Sequence, residues 1–408
     1  MTDSWRAEAG DGTRLPLRGV RVLDIATLGA GPWLATRLAD FGADVIKVEH
    51  PSTGDPMRQP GWFDGDVPIW WKVDARNKRS MTLDLKTSDG QRIVKRLARE
   101  ADVVVENFRP GTLERWNLGY EELSAENSGL VLVRVTGWGQ DGPNSDRPGF
   151  GTLAEAFSGW AHLNGFPELP PTLPPMGLGD AVTSVLGAFA TMVALYERDV
   201  GGGRGQVIDL AIYESIFSLI GQQVMLHDRL GIVPERTGNV IPFVAPRNVY
   251  RTSDGRYVAL AASTPSIFER VCRAIGRPEL VADSRFADNR ARIEHREQLD
   301  ELIGAWIEAR TQAEVLAIFE AHEAAVAPVY DIAQIFADEH FAARTAIVEV
   351  DDDELGPTRT CDVFPRLTET PGRVRHLGPK PGSHTAEILG GLGFDAREID
   401  RLRAANVI

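Results

Sequence analysis

The 408-residue sequence is poor in cysteine, with only Cys272 and Cys361. Two thiols cannot build a disulfide framework or, by themselves, a four-ligand zinc site, which excludes a small disulfide-stapled secreted fold. The 8 histidines are scattered without an i, i+4 pair, and H-E-x-x-H, G-x-S-x-G, C-x-x-C and P-loop motifs are absent. The sequence therefore indicates no metal ion and none of the chemistries that these motifs carry.

Positive charge and long apolar runs are also scarce. The 44 lysines and arginines face 58 acidic residues, a net charge of −14, which argues against a general nucleic-acid binder but leaves room for a small anionic ligand. The longest apolar run, 185–196, is shorter than the ~20 residues that span a bilayer. The N-terminus lacks the apolar stretch of a secretory signal. We expect a cytoplasmic protein with neither a membrane nor a nucleic-acid partner.

Strands and helices alternate over the first ~140 residues, which predicts a Rossmann-like parallel sheet with helices on both faces. The predicted strands cover 20–25, 44–49, 80–85, 102–106 and 130–136, and the predicted helices cover 32–41, 89–101, 180–197 and 211–230. We expect the helix over 180–197 to be largely buried, and 144–175, rich in glycine and proline, to be loop. The resulting domains are a large α/β domain over 15–230, a smaller α+β domain over 231–340 and a C-terminal segment over 341–408, preceded by a polar arm over 1–14.

A glycine turn, Gly29-Ala30-Gly31, lies between the first strand and the first helix, and Glu49 closes the next strand. This outline is typical of a dinucleotide site, in which amides at a helix N-terminus hold phosphate and an acid holds a ribose. The third glycine of the motif is missing, because Leu34 stands in its place. A plain crossover turn is therefore favoured over nicotinamide binding.

Two further segments could bind an anionic ligand. Three cations within 76–79 could hold a polyphosphate through charge-assisted hydrogen bonds, although such a run is more often a solvated strand edge. The loop 107–111 follows a buried strand, and loops at the carboxyl ends of parallel strands are where open sheets bind ligands. The alternative for this loop is a turn that merely needs Pro110-Gly111.

Asp180 follows Gly177-Leu178-Gly179, ahead of an apolar helix. Taken alone, the pattern favours an N-cap, in which the carboxylate accepts from the amides of the first turn. The alternative is a carboxylate that glycines leave open to a bulky substrate and that attacks an electrophilic carbonyl.

Taken together, these segments resemble the class III CoA-transferase family, which includes formyl-CoA and carnitine CoA-transferases. The resemblance runs from about Leu17 to the C-terminus and is densest up to Glu214. It rests on ordered matches at 17–24, 30–32, 41–49, 77–80, 83–85, 101–103, 106–111, 147–150, 179–180 and 203–207.

The resemblance implies an enzyme that moves CoA from an acyl-CoA to a free carboxylic acid. Asp180 would form a mixed anhydride and then an aspartyl-CoA thioester, with CoA as a substrate and no tightly bound cofactor. The family fold is an interlocked homodimer whose large domain uses both ends of the chain. The implied CoA contacts, to which the basic segment adds Arg79, are Gly29, Ala30, His50, Leu83, Lys86, Asn107, Phe108, Arg109 and Arg115.

Three departures from the family pattern leave alternatives open. Phe150 stands where acyl-CoA racemases have a histidine. This difference disfavours a racemase or epimerase function, which nevertheless stays an alternative. Gly151 stands where formyl-CoA transferases have an acid, and His50 replaces an arginine. A CoA-binding protein without catalysis is the other alternative. The donor and acceptor do not follow from the sequence, and the acyl pocket is only outlined by Trp70, Trp71, Trp138, Trp160 and Phe243, with Arg247 for a second carboxylate.

Overall fold

The computed structural model describes residues 14–408, so the predicted polar arm lies outside the described residues apart from Arg14. The chain divides into two compact units. The first contains 14–160, 173–230 and 344–408, and the second contains 161–172 and 231–343. The predicted domain limits at 230 and 340 lie near these boundaries, whereas the assignment of 161–172 to the second unit had no counterpart in the sequence prediction.

A six-stranded sheet forms the centre of the first unit, with its strands side by side in the order 79–82, 44–49, 21–24, 103–106, 131–136 and 207–211. Every neighbouring pair in it is parallel, which confirms the predicted α/β class. The strands are β1 (Arg21–Asp24), β2 (Asp44–Glu49), β5 (Arg79–Thr82), β6 (Val103–Glu106), β7 (Val131–Thr136) and β8 (Val207–Ala211). Two short strands, β3 (Phe63–Asp64) and β4 (Val67–Pro68), form a separate hairpin.

Helices cover both faces of this sheet, because successive strand residues point to opposite sides. Val22 belongs to the core with the helices over 30–40 and 178–201, while Leu23 belongs to the core with the helices over 88–98, 385–391 and 396–404. The C-terminal helices thus complete the face built by the N-terminal half. The helices of this unit are α1 (Ala30–Asp40), α2 (Ile69–Asp74), α3 (Ser88–Ala98), α4 (Thr112–Arg115), α5 (Tyr120–Glu126), α6 (Gly151–Phe157), α7 (Trp160–Leu163, which ends in the second unit), α8 (Leu178–Gly201), α9 (Ile212–Leu219), α10 (Gln222–Leu230), α17 (Thr385–Gly391) and α18 (Ala396–Ala404).

Two stretches of this unit differ from the sequence prediction. The predicted helix over 211–230 is the end of β8 followed by α9 and α10, because the alternating residues 207–211 pair with β7 as an edge strand. The predicted loop over 144–175 contains α6 and α7. The glycine and proline content of this stretch predicted a loop. Contacts within the fold nevertheless stabilise α6 as a helix.

Helix α8 is longer and less buried than predicted. Its buried face consists mainly of small residues, including Gly187, whose added Cβ would lie 2.3 Å from Leu34 of α1. The larger apolar side chains lie on the other face, where Phe189 is 68% and Tyr196 70% exposed. By length and composition alone α8 could cross a membrane, with 39% of its most apolar window buried in the fold. The absence of a membrane partner therefore stays a prediction.

The segment 344–384 of the first unit begins with a hairpin of β12 (Ile347–Asp352) and β13 (Gly356–Cys361). The tip of this hairpin is tied to α2, because Lys72 binds Asp352 at 2.8 Å and Glu354 at 2.9 Å. The stretch 378–382 forms neither helix nor strand. It lies along α2, where the amide of Gly378 donates to the carbonyl of Lys72 at 2.8 Å.

The second unit has its own core around Phe268, Ile303 and Phe319. Its three-stranded sheet, in the order β11-β10-β9, is antiparallel and agrees with the predicted α+β character. Its strands and helices are β9 (Arg247–Arg251), β10 (Tyr257–Ala261), α11 (Pro265–Ala274), α12 (Asn289–Glu294), α13 (Arg296–Glu308), α14 (Gln312–Ala321), β11 (Val326–Pro328), α15 (Ile332–Ala337) and α16 (Glu339–Ala343).

Candidate active site

The loop between β1 and α1 is fixed by two side chains from elsewhere in the sheet. Asn107, after β6, accepts from the Thr27 amide at 2.8 Å and donates to the Thr27 carbonyl at 2.7 Å. Asp55, after β2, accepts from the Leu28 amide at 3.1 Å, and Leu28 has a left-handed φ of 67°. β1 lies between β2 and β6, where the strand order reverses, which is the place at which open sheets bind ligands.

A buried lysine balances the charge of Asp55. The Lys47 ammonium lies 2.8 Å from the Asp55 carboxylate, and both side chains are almost fully buried. Burial opposes ionisation of Asp55, but the Lys47 charge and the amides of Met57 and Leu28 outweigh it and lower its pKa. Asp55 therefore stays ionised and holds Leu28 in its unusual backbone conformation.

Asp180 lies at the N-terminus of α1 although it belongs to α8. Its Oδ1 accepts from the amide of Ala30, the first residue of α1, at 3.2 Å across 150 residues of sequence. The N-cap residue of α8 is Gly177, which has no side chain with which to cap the helix. The interpretation of Asp180 as the cap of its own helix is therefore wrong. Its carboxylate instead closes the end of a second helix.

Three glycines surround the Asp180 carboxylate. A Cβ added at Gly29 would lie 2.7 Å from Oδ1, and one added at Gly151 or Gly177 would lie 2.3 or 3.3 Å from Oδ2. Any side chain at position 29 or 151 would displace the carboxylate. The absence of side chains at these positions therefore leaves the room that the carboxylate itself occupies, close to the backbone.

Burial and a second carboxylate raise the pKa of Asp180. Burial has the largest effect, the Ala30 amide opposes it, and the negative charge of Glu155 adds to the rise. Glu155 is 2% exposed. A carboxylate held in this way is more basic than one in water, which suits a nucleophile.

Several of the expected CoA contacts lie along one edge of the sheet. His50 follows β2, Leu83 and Lys86 follow β5, and Asn107 and Arg109 follow β6. Because these strands are adjacent and parallel, their carboxyl ends lie at the same edge. The other expected contacts near this edge are Gly29 and Ala30 after β1, Phe108 after β6, and Arg115 at the end of α4.

The side chains at this edge differ in what they can offer. Lys86, Arg109 and Arg115 are exposed cations. Phe108 packs edge-on against Trp116, with ring centroids 5.0 Å apart. Leu83 is 1% exposed and belongs to the core, so only its backbone could meet a ligand.

Arg79 does not belong with these residues. It is the first residue of β5, so it lies at the opposite edge of the sheet. It is 6% exposed, and its guanidinium binds Asp44 with contacts of 2.6 to 3.0 Å. Arg76 and Lys78 are likewise buried against Asp40 and Asp24 respectively. The expectation of a polyphosphate site at 76–79 is not met, because folding pairs these cations with internal carboxylates.

The nicotinamide interpretation also fails at Glu49. Its carboxylate receives two bonds from Arg58, at 2.7 and 2.8 Å, and one from Ser80 at 2.6 Å. It is 2% exposed, so it cannot bind a ribose. Within residues 14–408 no group of three or more His, Cys, Asp or Glu is arranged to hold a metal ion.

A model of CoA-transferase family III matches residues 17–385. The chain belongs to this family. It is 44% identical to a succinyl-CoA–D-citramalate CoA-transferase of Chloroflexus aurantiacus, over 96% of this chain and 98% of the relative. It is 43% identical to the beta subunit of a succinyl-CoA–L-malate CoA-transferase of the same organism, over 98% and 100%. A CAIB/BAIF family protein from Brucella suis superposes with a TM-score of 0.82 at 32% identity, over 92% of this chain and 99% of that one.

These similarities confirm the transferase interpretation of the sequence. The protein is a CoA-transferase that moves CoA from an acyl-CoA to a carboxylic acid. Phe150, which disfavoured the racemase alternative, is the N-cap residue of α6 and is 60% exposed.

Sequence reasoning missed two acids that support the site of this CoA-transferase. Glu155 lies in the stretch predicted as loop, and the i, i+4 spacing from Gly151 becomes meaningful only once α6 is known. Asp55 stands beside Gly54 in a segment without periodic pattern. Neither acid forms part of a motif, so nothing in the sequence distinguished them from the other 56 acidic residues.

The aromatic residues suggested for the acyl pocket of the CoA-transferase divide into several groups. Trp71 is 1% exposed and donates to the Pro379 carbonyl at 2.8 Å, so it is core. Trp70 is half-buried and packs at 6.2 Å from Trp33, whose ring would lie 3.4 Å from a Cβ at Gly177. Trp33, absent from the sequence prediction, therefore lies beside Gly177, one of the glycines around Asp180. Trp138 contacts Phe157 and Tyr213, Trp160 begins α7, and Phe243 and Arg247 belong to the second unit.

Proposed function

We propose that this enzyme takes CoA from a dicarboxylic acyl-CoA, with succinyl-CoA as the first candidate, and gives it to a short hydroxydicarboxylic acid such as malate or citramalate. The two relatives with 43% and 44% identity carry succinyl-CoA in their names and differ in the acid. The observation that carries the mechanism is the Asp180 carboxylate, held by the Ala30 amide among three glycines.

The first half of the reaction moves CoA from the donor to Asp180 by way of an anhydride. An Asp180 carboxylate oxygen forms a bond to the thioester carbonyl carbon, the C–S bond breaks, and CoA leaves as thiolate with the electron pair. The thiolate then attacks the aspartyl carbonyl and releases the donor acid as a carboxylate, which leaves an aspartyl-CoA thioester. Each intermediate stays activated, so the exchange needs neither a metal nor a proton transfer.

The second half runs the same steps in reverse with the acceptor. Its carboxylate attacks the aspartyl thioester, and CoA leaves as thiolate. The thiolate then attacks the acceptor carbonyl of the new anhydride, the C–O bond to Asp180 breaks, and the products are the new acyl-CoA and the free Asp180 carboxylate. Water must be kept away throughout, because it would hydrolyse either intermediate. The half-buried position of Asp180, in the first turn of α8 and against the N-terminus of α1, supports this requirement.

We propose that the CoA moiety lies along the carboxyl edge of β5, β2, β1 and β6. Lys86, Arg109 and Arg115 are exposed there and suit its phosphates, since cations form strong charge-assisted bonds with phosphate oxygens. Asn107 serves this site mainly through Thr27, whose loop carries Gly29 and Ala30. Arg79 is left out, because its charge is engaged at the opposite edge.

We further propose that the enzyme is a homodimer, as the family resemblance implies. Large apolar side chains cover the outer face of α8, an arrangement that marks an interaction surface. They are Val185, Phe189, Met192, Val193, Tyr196 and Val200. Light scattering is expected to give twice the chain mass. A monomer at micromolar concentration would contradict the homodimer.

Intact-protein mass after brief mixing with succinyl-CoA tests the mechanism. The expected result is a CoA-sized adduct that hydroxylamine removes and that Asp180→Ala does not form. Exposed Asp228→Ala, on α10, controls for loss of one carboxylate and is expected to form the adduct. If the Asp180→Ala protein still forms it, the nucleophile is another residue. If no acyl-CoA of a panel modifies the wild type, the covalent mechanism is wrong.

A further inference from the structure

Glu155 is a buried acid that the transfer chemistry does not explain. It lies on α6 with 2% exposure, and its Oε1 accepts from the Gly179 amide at 2.8 Å. Gly179 is the second residue of α8 and immediately precedes Asp180. Glu155 therefore accepts from a first-turn amide of α8. The N-cap residue of this helix is a glycine, which has no side chain that could do so.

Two residues of α6, one turn apart, hold the turn that carries the nucleophile. Gly151 and Glu155 are spaced i, i+4 and share a face of the helix. A Cβ at Gly179 would meet the Gly151 carbonyl at 3.0 Å, and a Cβ at Gly151 would meet Asp180 Oδ2 at 2.3 Å. This face of α6 leaves little freedom to the Gly179–Asp180 turn.

Glu155 also brings a second negative charge to the same helix end. Its charge acts in the same direction as burial and raises the pKa of Asp180. The other ionisable groups on elements packed against α6 are on α9, where Tyr213 donates to exposed Glu214 at 3.0 Å, and at the far end of α8. Asp180 is therefore the ionisable neighbour on which the Glu155 charge acts.

We propose that Glu155 is a positioning residue of the transfer reaction, which fixes the Gly179–Asp180 turn and keeps the Asp180 carboxylate reactive through its own negative charge. The inference rests on the proposed role of Asp180. In the attack, the Asp180 oxygen shares an electron pair with the thioester carbon, and its negative charge passes to the carbonyl oxygen and then to the leaving thiolate. Repulsion from Glu155 is strongest before this step, so it favours the transfer of charge away from Asp180.

Two substitutions separate the bond from the charge. Glu155→Gln keeps an oxygen that can accept from Gly179 but removes the charge, whereas Glu155→Ala removes both. The matched control is Glu121→Gln, which removes one charge from an exposed first-turn position of α5. Rates of adduct formation are measured from acidic to neutral pH, with the folding of each protein checked by circular dichroism and thermal melting.

Because Asp180 must be ionised to attack, activity falls as the pH drops through its pKa. Removing the Glu155 charge lowers that pKa, so the acid limb of the Glu155→Gln protein is expected to move to lower pH and its plateau rate to fall. Glu155→Ala is expected to lose about 100-fold in rate, the scale of a 1 Å misplacement. Glu121→Gln is expected to follow the wild type in both respects.

An acid limb that stays in place in the folded Glu155→Gln protein would overturn the charge effect. Glu155→Asp keeps the charge and provides the test if the glutamine protein does not fold, because an unchanged rate in the shorter acid would overturn the positioning role. Failure of the proposed function looks different, since the wild type itself would then form no adduct at Asp180.

Discussion

Gly151→Ala is expected to disable the enzyme while leaving its fold almost intact. The added Cβ would lie 2.3 Å from Asp180 Oδ2, about 1 Å closer than the 3.4 Å at which ordinary van der Waals contact begins. The carboxylate must move by about that distance, and such a misplacement costs about 100-fold in rate, or about 2.7 kcal/mol of activation free energy. The assay is the rate of adduct formation and of steady-state transfer at saturating acyl-CoA.

The free energy of unfolding of this variant is expected to change little. Alanine gains up to about 1 kcal/mol over glycine in a helix, whereas overpacking costs about 1–3 kcal/mol. Gly390→Ala on α17 is the matched control, since its added Cβ would meet open space, and it is expected to keep full activity. Wild-type kcat in the folded Gly151→Ala protein would refute the argument that this glycine protects the position of Asp180.

Three further predictions follow from the contacts around the sheet. Asn107→Ala leaves the backbone amide and carbonyl of Thr27 without their side-chain partner. Urea unfolding is therefore expected to show a loss of about 1–3 kcal/mol of stability, and steady-state kinetics are expected to show a lower kcat. An unchanged kcat would show that this loop does not affect catalysis. Arg79→Met breaks a buried ion pair and is expected to cost about 3–5 kcal/mol of stability while leaving the KM for acyl-CoA unchanged. Arg109→Ala is expected to raise that KM without loss of stability. A raised KM in Arg79→Met and an unchanged KM in Arg109→Ala would restore Arg79 as a CoA contact. Burial raises the pKa of Glu106 from 4.5 to about 7. Its contribution to stability is therefore present below pH 4.5 and is lost as the pH rises to about 7, an effect of at most about 3 kcal/mol. Between pH 5 and 8, urea unfolding should show that Glu106→Gln loses less stability than the wild type, and an identical dependence of stability on pH would contradict the shifted pKa.

Five of the six strands of the parallel sheet could be predicted from the sequence, because each is a short apolar run between turn residues. The edge strand β8 was missed. β2 has the predicted limits, and β7 begins one residue later than predicted. The cations of 76–79 could not be assigned, since a basic run gives no sign of the carboxylates that will meet it. Their partners Asp40, Asp44 and Asp24 are supplied by α1, β2 and β1.

The sequence could propose residues for the candidate site but not their geometry. Asp180 was proposed as the nucleophile through the family resemblance, whereas its own pattern favoured a cap of α8. The bond that defines its position comes from Ala30, 150 residues away, and a local pattern cannot report a partner at that distance. The exposure of Phe189 was unpredictable for a related reason, because the small residues of α8 rather than its large ones face α1.

In the mechanism that we propose, Asp180 is both an attacking and a leaving group, and the N-termini of α1 and α8 offer a physical basis for these two roles. Each helix end is closed by an acid from another element, α1 by Asp180 and α8 by Glu155. The partial positive charge of α1 favours the ionised form of Asp180, while burial and Glu155 oppose it. The carboxylate is therefore ionised enough to attack and basic enough to react.

The loop before α1 holds the Ala30 amide in place, because Asn107 and Asp55 bind that loop. When the charge of Asp180 moves to the substrate oxygen, we expect this amide to remain beside the reacting atoms without reorganising. The bracing of that loop thus matters to each of the exchange steps, which is why Asn107 should affect kcat although it need not touch CoA.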